Sequence, residues 1–180
     1  MNFIIFDLEA TCWEGRPDNK AQEIIEIGAV RLNRFGEVDD TFSRMVRPVI
    51  NPTLSLFCRQ LTGIDQREVD RGNTFPKVID EFQDWADIFY EEYLLCSWGN
   101  FDRRMLVQDC KLHALEHEWA LEHINLKQQY KEVRNLKKAR GLKSAVEREG
   151  FEFEGRAHRA LDDAKNLAKI FNKYLDDWAY

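Results

Sequence analysis

Two hydrophobic rhythms alternate along this chain, and the change from one to the other marks out its elements. Residues 3–8 (FIIFDL) are a short, nearly continuous run of branched and aromatic side chains, the pattern of a strand covered on both faces. Residues 22–33 (QEIIEIGAVRLN) and 41–47 (TFSRMVR) read as two further strands around an Arg34-Phe35-Gly36-Glu37 turn. Three strands in succession predict an antiparallel meander, closed off by Pro48 and Pro52. The period then lengthens. Residues 51–63 predict a short helix with Pro52 near its start and Gly63 after its end. From Thr74 onward, apolar positions at Phe75, Val78, Ile79, Phe82, Trp85, Ala86 and Phe89 mark a stronger amphipathic helix. Residues 93–98 (YLLCSW) return to a buried type of strand. Helices follow over 103–113, 125–139, 142–149 and about 159–177, with Gly150 and Gly155 bracketing a loop. The sum is a mixed α/β domain whose helices cover the sheet.

Composition narrows the class. A hydrophobic share of 44%, with twelve Phe and five Trp, belongs to a packed globule rather than a disordered chain. The 180 residues fit a single domain, 1–180, large enough for a substantial core. No apolar run approaches the ~20 residues of a membrane span and no signal-like start is present, so a soluble, cytoplasmic protein is expected. Cys12, Cys58, Cys96 and Cys110 are scattered without the paired spacing of a zinc site, and Cys96 reads as a buried, reduced thiol.

Charge is informative through its distribution. The net charge of −6 argues against a nucleic-acid partner. Yet residues 1–126 carry 13 basic against 23 acidic side chains, while residues 127–165 carry 11 against 7. The second segment is either a solvated, charge-laced helical region or a local attractor of phosphates.

Candidate chemistry begins in the first strand. Alternation puts Asp7 and Glu9 on one side of it, about 7 Å apart. Two carboxylates at the end of a buried strand repel each other and resist desolvation, which a hard divalent cation would relieve. The alternative is a strand already in solvent at Asp7, with Glu9 opening a loop. Asp102 lies at a strand-to-helix turn, where it is a functional group on a rigid scaffold or simply a residue favoured by the helix dipole. In the last helix, Ala160, Leu167, Ile170 and Tyr174 form an apolar row that includes Asp163. Asp162 shares the opposite, solvated face with Arg159, Lys165, Asn166, Lys169 and Lys173. A carboxylate inside an apolar row needs a partner, so Asp163 is the functional candidate of the two. His158, just before that helix, is a structural hydrogen-bonding residue or a general base, imidazole being the side chain that changes charge near neutral pH. Phe57, Leu61 and Ile64 are core positions or a shelf for a nucleobase. His113-Ala114-Leu115-Glu116-His117 matches the H-x-x-E-H pattern of some zinc peptidases, but no third ligand follows and the segment reads as an exposed charged helix.

Three separated motifs now stand together: Phe6-Asp7-Leu8-Glu9-Ala10-Thr11, Asn100-Phe101-Asp102, and His158-Arg159-Ala160-Leu161-Asp162-Asp163. As a set they resemble the DEDDh, or DnaQ-like, 3′–5′ exonucleases, and the His-x4-Asp spacing of that family lands on Asp163. Cys12, Gln22-Glu23-Ile24-Ile25-Glu26, Asn51-Pro52, Leu61-Thr62-Gly63-Ile64 and Leu161-Asp162-Asp163-Ala164 place the likeness nearest the branch of KapD-like bacterial proteins and eukaryotic exonucleases of small-RNA and histone-mRNA 3′ ends. The resemblance covers nearly the whole chain. Phe101 departs from it, since relatives often carry Trp there, and the chain has no counterpart of the added RNA-binding domain of some eukaryotic relatives.

The resemblance implies a ribonuclease H-like fold and two Mg²⁺ (or Mn²⁺) ions. It implies that Asp7 bridges both ions, that Glu9 and Asp163 hold the first and Asp102 the second, and that His158 takes a proton from the attacking water. The expected partner is single-stranded RNA or DNA with a free 3′ end, RNA favoured, shortened to 5′-mononucleotides by a monomer or homodimer. Phe57, Leu61 and Phe101 would hold the terminal base, with the backbone of Ala10 and Thr11 near the terminal sugar. A non-catalytic 3′-end-binding module on the same fold is the competing reading, and a zinc peptidase a remote one.

Overall fold

A computed structural model describes residues 1–15 and 20–180. Residues 16–19 lie outside the described residues. The chain runs β1 (Asn2–Ala10), β2 (Ile24–Leu32), β3 (Val38–Arg47), α1 (Leu56–Thr62), α2 (Gln66–Asp70), β4 (Asn73–Thr74), α3 (Phe75–Trp85), β5 (Tyr93–Ser97) and α4 (Phe101–Leu112). A 3-10 turn at Glu118–Leu121 leads to β6 (His123–Asn125), α5 (Leu126–Val133), α6 (Leu142–Arg148) and α7 (Ala160–Lys173).

The six strands form one sheet in the order β4-β3-β2-β1-β5-β6. The expected meander is present, β1 pairing antiparallel with β2 and β2 with β3. β5 then joins the other edge of β1 in parallel, and β6 joins β5 in parallel. The mixed sheet therefore has β1 at its centre, buried on both faces as its apolar run requires.

Alternation along β1 sorts its side chains between two cores. Ile4, Phe6 and Leu8 pack with Val78, Ile79 and Phe82 of α3 and Met105 and Leu106 of α4. Phe3 and Ile5 face the other way, onto Leu167, Ile170 and Phe171 of α7 with Tyr130 of α5 and Val146 of α6. Asp7 and Glu9 continue the Phe3–Ile5 row, so their carboxylates emerge on the α7 side. They do so at the carboxyl ends of the parallel pair β1 and β5, where α/β sheets leave room for ligands.

Several boundaries differ from expectation. The helix expected over 51–63 begins only at Leu56, because Ser55 caps it with a side chain that accepts from Cys58 N, and Pro52 lies outside it. Gly63 does end it, in the left-handed region at φ 69°. α3 stops at Trp85, leaving Phe89 exposed rather than on the apolar stripe. The helix expected over 125–139 ends at Val133, and Asn135 turns left-handed at φ 47°, so residues 134–141 are a loop. α7 ends at Lys173, four residues before the expected stop. No helix among the described residues is long and apolar enough to cross a membrane.

Candidate active site

The four acids arrive from three elements. Asp7 and Glu9 come from the end of β1, Asp102 from the first turn of α4, and Asp163 from the first turn of α7. Glu9, Asp102 and Asp163 are only 8%, 4% and 9% exposed, so these are not solvated surface carboxylates. The Leu8 backbone N–H donates to Asp102 Oδ1 at 3.2 Å, which ties the α4 carboxylate directly to the strand between Asp7 and Glu9. On the other side, the His158 N–H donates to Asp163 Oδ2 at 3.0 Å. His158 itself has φ 66°, a left-handed conformation that a non-glycine residue takes at a cost. That turn presents its imidazole to the cluster: single ligand atoms of Glu9, His158 and Asp163 all lie within 4.8 Å of one another.

Gathering these acids perturbs each of them. Burial, followed by the charges of Asp102, Asp163, Glu9 and Glu26, holds the Asp7 carboxyl well above the usual carboxylate range. Glu9 is pushed up to about 9, by burial first and then by Asp163, Glu26 and Asp102. Burial also raises Asp102 to about 6 against the opposing hydrogen bonds from Ser97 and Leu8. Asp163 rises to about 6 for the same leading reason, opposed by the His158 N–H. All four shifts run in one direction, and added positive charge is what would reverse them. A carboxylate-rich donor set of this kind suits a hard cation with oxygen ligands.

A cleft of about 1140 Å³ contains the cluster. Asp7, Glu9, Asp102, His158 and Asp163 all line it, with Ala10, Phe57, Leu61 and Phe101. Phe57, Leu61 and Phe101 are 40%, 40% and 37% exposed. Their partial exposure beside the acids is what distinguishes them from core, while Ile64 is buried and belongs to the core. Thr11 is a correction. It is buried, its N–H donates to Glu23 O, its hydroxyl accepts from Glu23 N at 2.9 Å, and its carbonyl accepts from Gln22 Nε2 at 2.9 Å. With its N–H, carbonyl and hydroxyl oxygen engaged, it fixes the start of β2, and it is not among the residues that line the cleft.

Two further corrections follow from local geometry. The segment holding His113 and His117 is not a helix: α4 ends at Leu112 and Ala114 is left-handed at φ 54°, so the H-x-x-E-H residues do not share a helical face. His113 instead stacks on Phe75 with ring centroids 5.6 Å apart. Asn166, expected on the solvated side of α7, is fully buried and donates to the carbonyls of Glu154 at 2.7 Å and Asp162 at 2.8 Å. Asp162 is half-buried and accepts from Arg156 N at 2.8 Å, so it fastens the preceding loop while Asp163 turns into the cleft.

Two residues that position Asp163 are given no role by the sequence, although Glu26 lies in one of the motifs that carry the resemblance. Gly28 on β2 sits across the ladder from Asp7. A Cβ at Gly28 would meet Leu161 N at 2.0 Å, so only glycine lets the start of α7 rest on the sheet. Glu26, two residues earlier on the same face, is buried, and its Oε2 accepts from Ala160 N at 3.0 Å. Its Oε1 pairs with Arg159 Nη2 at 3.0 Å. No local side chain caps α7, and this carboxylate from a distant strand does so. The sequence signal available is a Glu and a Gly two apart in a strand, opposite Glu9 and Asp7.

A mixed sheet centred on β1, with carboxylates at the end of that strand and in the first turns of α4 and α7, defines a ribonuclease H-like nuclease fold. The family model described as "Exonuclease" (RNase_T) matches residues 4–171, and the chain belongs to that family. Human 3′-5′ exoribonuclease 1 is 39% identical over 181 residues, an alignment covering 96% of this chain and 52% of the relative. The chain thus spans about half the length of the curated relatives it matches first. The solved nuclease domain of 3′hExo, a DEDDh family member bound to rAMP, superposes with a TM-score of 0.91 at 38% identity, covering 98% of this chain and 92% of the other. A structure describing 3′-end-specific recognition of the histone mRNA stem-loop by 3′-exonuclease superposes with the same TM-score at 37% identity, covering 98% and 82%.

Proposed function

We propose that residues 1–180 act as one exonuclease domain that removes 5′-mononucleotides from the free 3′ end of single-stranded nucleic acid, RNA in preference to DNA. The observation that carries this reading is the convergence of Asp7, Glu9, Asp102 and Asp163, all with raised proton affinity, with His158 in one cleft. The relatives' names and the rAMP-bound neighbour support RNA as the preferred strand.

In this reading Asp7, Glu9, Asp102 and Asp163 would hold two Mg²⁺ or Mn²⁺ ions, with Asp7 contributing to both, Glu9 and Asp163 to the first and Asp102 to the second. Divalent cations bound there would supply Lewis acidity, acidifying the attacking water and neutralising charge on the departing 3′ oxygen. His158 stands beside Glu9 and Asp163 to accept the proton of that water. Phe57, Leu61 and Phe101 offer apolar surface on which a terminal base of any identity can stack. The backbone of Ala10, which lines the cleft, is the candidate to meet the terminal sugar.

End-labelled single-stranded RNA and DNA of matched sequence test the proposal directly. With Mg²⁺ or Mn²⁺ the 5′-labelled RNA should shorten stepwise from its 3′ end, faster than the DNA, and chelator should stop both. Strands that bind but never shorten in either cation would replace the enzyme with a 3′-end-binding module.

A further inference from the structure

The cleft does not stop at the acids. Its lining also includes Trp98, Arg104 and Leu142. Next to that wall the loop after α5 forms a second concavity of about 600 Å³, lined by Asn135, Leu136, Lys137, Lys138, Ala139 and Arg140. Trp98 joins the two, since its Nε1 donates to Arg140 O at 3.0 Å while its ring packs on Tyr130 with centroids 5.4 Å apart. The indole is thereby held as a fixed, partly exposed plate between the catalytic cluster and a basic loop.

The charges of that loop and of the first turn of α6 are of one sign. Lys137, Lys138, Arg140 and Lys143 are exposed, and among the described residues none of them forms an ion pair with a carboxylate. They differ in this from Lys169 and Lys173 on α7, which are paired with Glu154 and Glu149. Lys20, also in the cleft lining, lies 5.1 Å from the Trp13 ring centroid, so its charge is already placed over an aromatic face. Four cations without a carboxylate partner, beside a cleft that holds four acids, are a place where the phosphates of an incoming strand gain attraction.

We propose that Trp98, the loop before α6 and the first turn of α6 form the seat for the nucleotides upstream of the terminal one. Trp98 stacks a base, and Lys137, Lys138, Arg140 and Lys143 neutralise the phosphates behind it. This rests on the reading of the acidic cleft as a 3′-end site, and it gives that site a direction: the strand enters past α6 and runs over Trp98 to Phe101. Stacking on a fixed ring tolerates every base, so the path is one for single strands without sequence preference.

Fluorescence anisotropy on the full chain tests this, in chelator so that strands stay whole, with a 12-nucleotide single-stranded RNA and a dinucleotide of the same 3′ sequence. The wild type should hold the dodecamer at least tenfold tighter than the dinucleotide. Combining Lys137→Ala, Lys138→Ala and Arg140→Ala should weaken the dodecamer about tenfold relative to the dinucleotide. The slope of log affinity against log salt should become shallower by about 2, at about 0.7 per charge removed. Trp98→Leu should weaken the dodecamer about tenfold and Trp98→Phe should recover most of it, with melting curves confirming that both remain folded. Wild-type affinity and salt slope in the triple variant, or equal losses on both ligands, would overturn the proposal. Failure of the exonuclease reading looks different: no nucleotide is released with Mg²⁺ or Mn²⁺, whatever the loop does to binding.

Discussion

Gly28 and Leu161 touch so closely that a single added carbon on Gly28 would stand 2.0 Å from the Leu161 backbone nitrogen. Because Gly28 pairs with Asp7 and Leu161 lies two residues before Asp163, this contact sets how near the first and last acids can come. Gly28→Ala must push the start of α7 off the sheet. We expect a loss of about 1–3 kcal/mol of stability, typical of overpacking, and at least a hundredfold fall in nucleotide release. Thermal melting and initial rates check it; an unchanged rate would mean that the placement of α7 is not set here.

Glu26 caps α7 from a strand more than a hundred residues earlier. Glu26→Ala removes an acceptor from Ala160 N and leaves Arg159 without its buried partner. Loss of a cap costs about 0.5–2 kcal/mol, and the Asp163 carboxylate loses its fixed position. The expected signature is a raised requirement for Mg²⁺, measured as the half-saturating concentration, together with a lowered Tm. A lowered Tm with an unchanged Mg²⁺ requirement would confine Glu26 to stability.

Neighbouring aspartates on one helix should behave differently. Asp163→Asn should abolish nucleotide release, as should Asp7→Ala, because each removes a buried negative charge from the cluster. Asp162→Asn should be tolerated within a few-fold, since the amide oxygen can still accept from Arg156 N. Equal losses at Asp162 and Asp163 in a rate assay would contradict the division of faces on α7.

His158→Ala should lower kcat by at least a hundredfold while moving KM only a few-fold, the split expected when a proton acceptor is lost and binding is kept. Steady-state kinetics on one RNA decide it. A large rise in KM with kcat intact would make His158 a binding residue.

Metal-free stability should depend on pH in a stated direction. Asp102 and Asp163 at about 6 and Glu9 at about 9 are raised above their ordinary values, so between the unfolded and folded pKa values the native state holds more protons than the unfolded one. Their contribution is complete below about pH 4 and is lost as pH climbs through 6 and on toward 9. Melting in chelator should therefore show Tm falling across this range relative to a variant with neutral amides at these positions. Added Mn²⁺ should restore it, with a larger gain at pH 8 than at pH 6. A Mn²⁺ gain that shrank as pH rose would oppose the electrostatic account.

The sheet and the acids are legible in the sequence for physical reasons that also explain what is not. Residues 3–8 carry the apolar run of a doubly buried strand, and alternation along it is enough to put Asp7 and Glu9 on one side. Asp163 stands out because it interrupts an apolar row. The two-residue β4 and three-residue β6 carry too few positions for a period to show. α2 has only one local sign of its start, the capping box of Asp65 and Glu68, and its five residues are too few for a helical stripe. Residues 134–139 suggest a helix because lysine and arginine are good helix formers, yet nothing apolar there meets the core beyond Leu136. Asn166 misleads because its polarity suggests water, while its amide closes a loop against Glu154. Glu26 and Gly28 act on the distant start of α7, so no local period reveals their roles.

Counting bound cations addresses the central claim most directly. Mn²⁺ titrated into the full chain with a mononucleotide present, and followed by electron paramagnetic resonance, should show two sites in the wild type and a weakened or missing site in Asp7→Asn and Asp163→Asn. A wild type that binds no Mn²⁺ under these conditions, or variants that bind it as the wild type does, would contradict an account in which these carboxylates exist to hold metal.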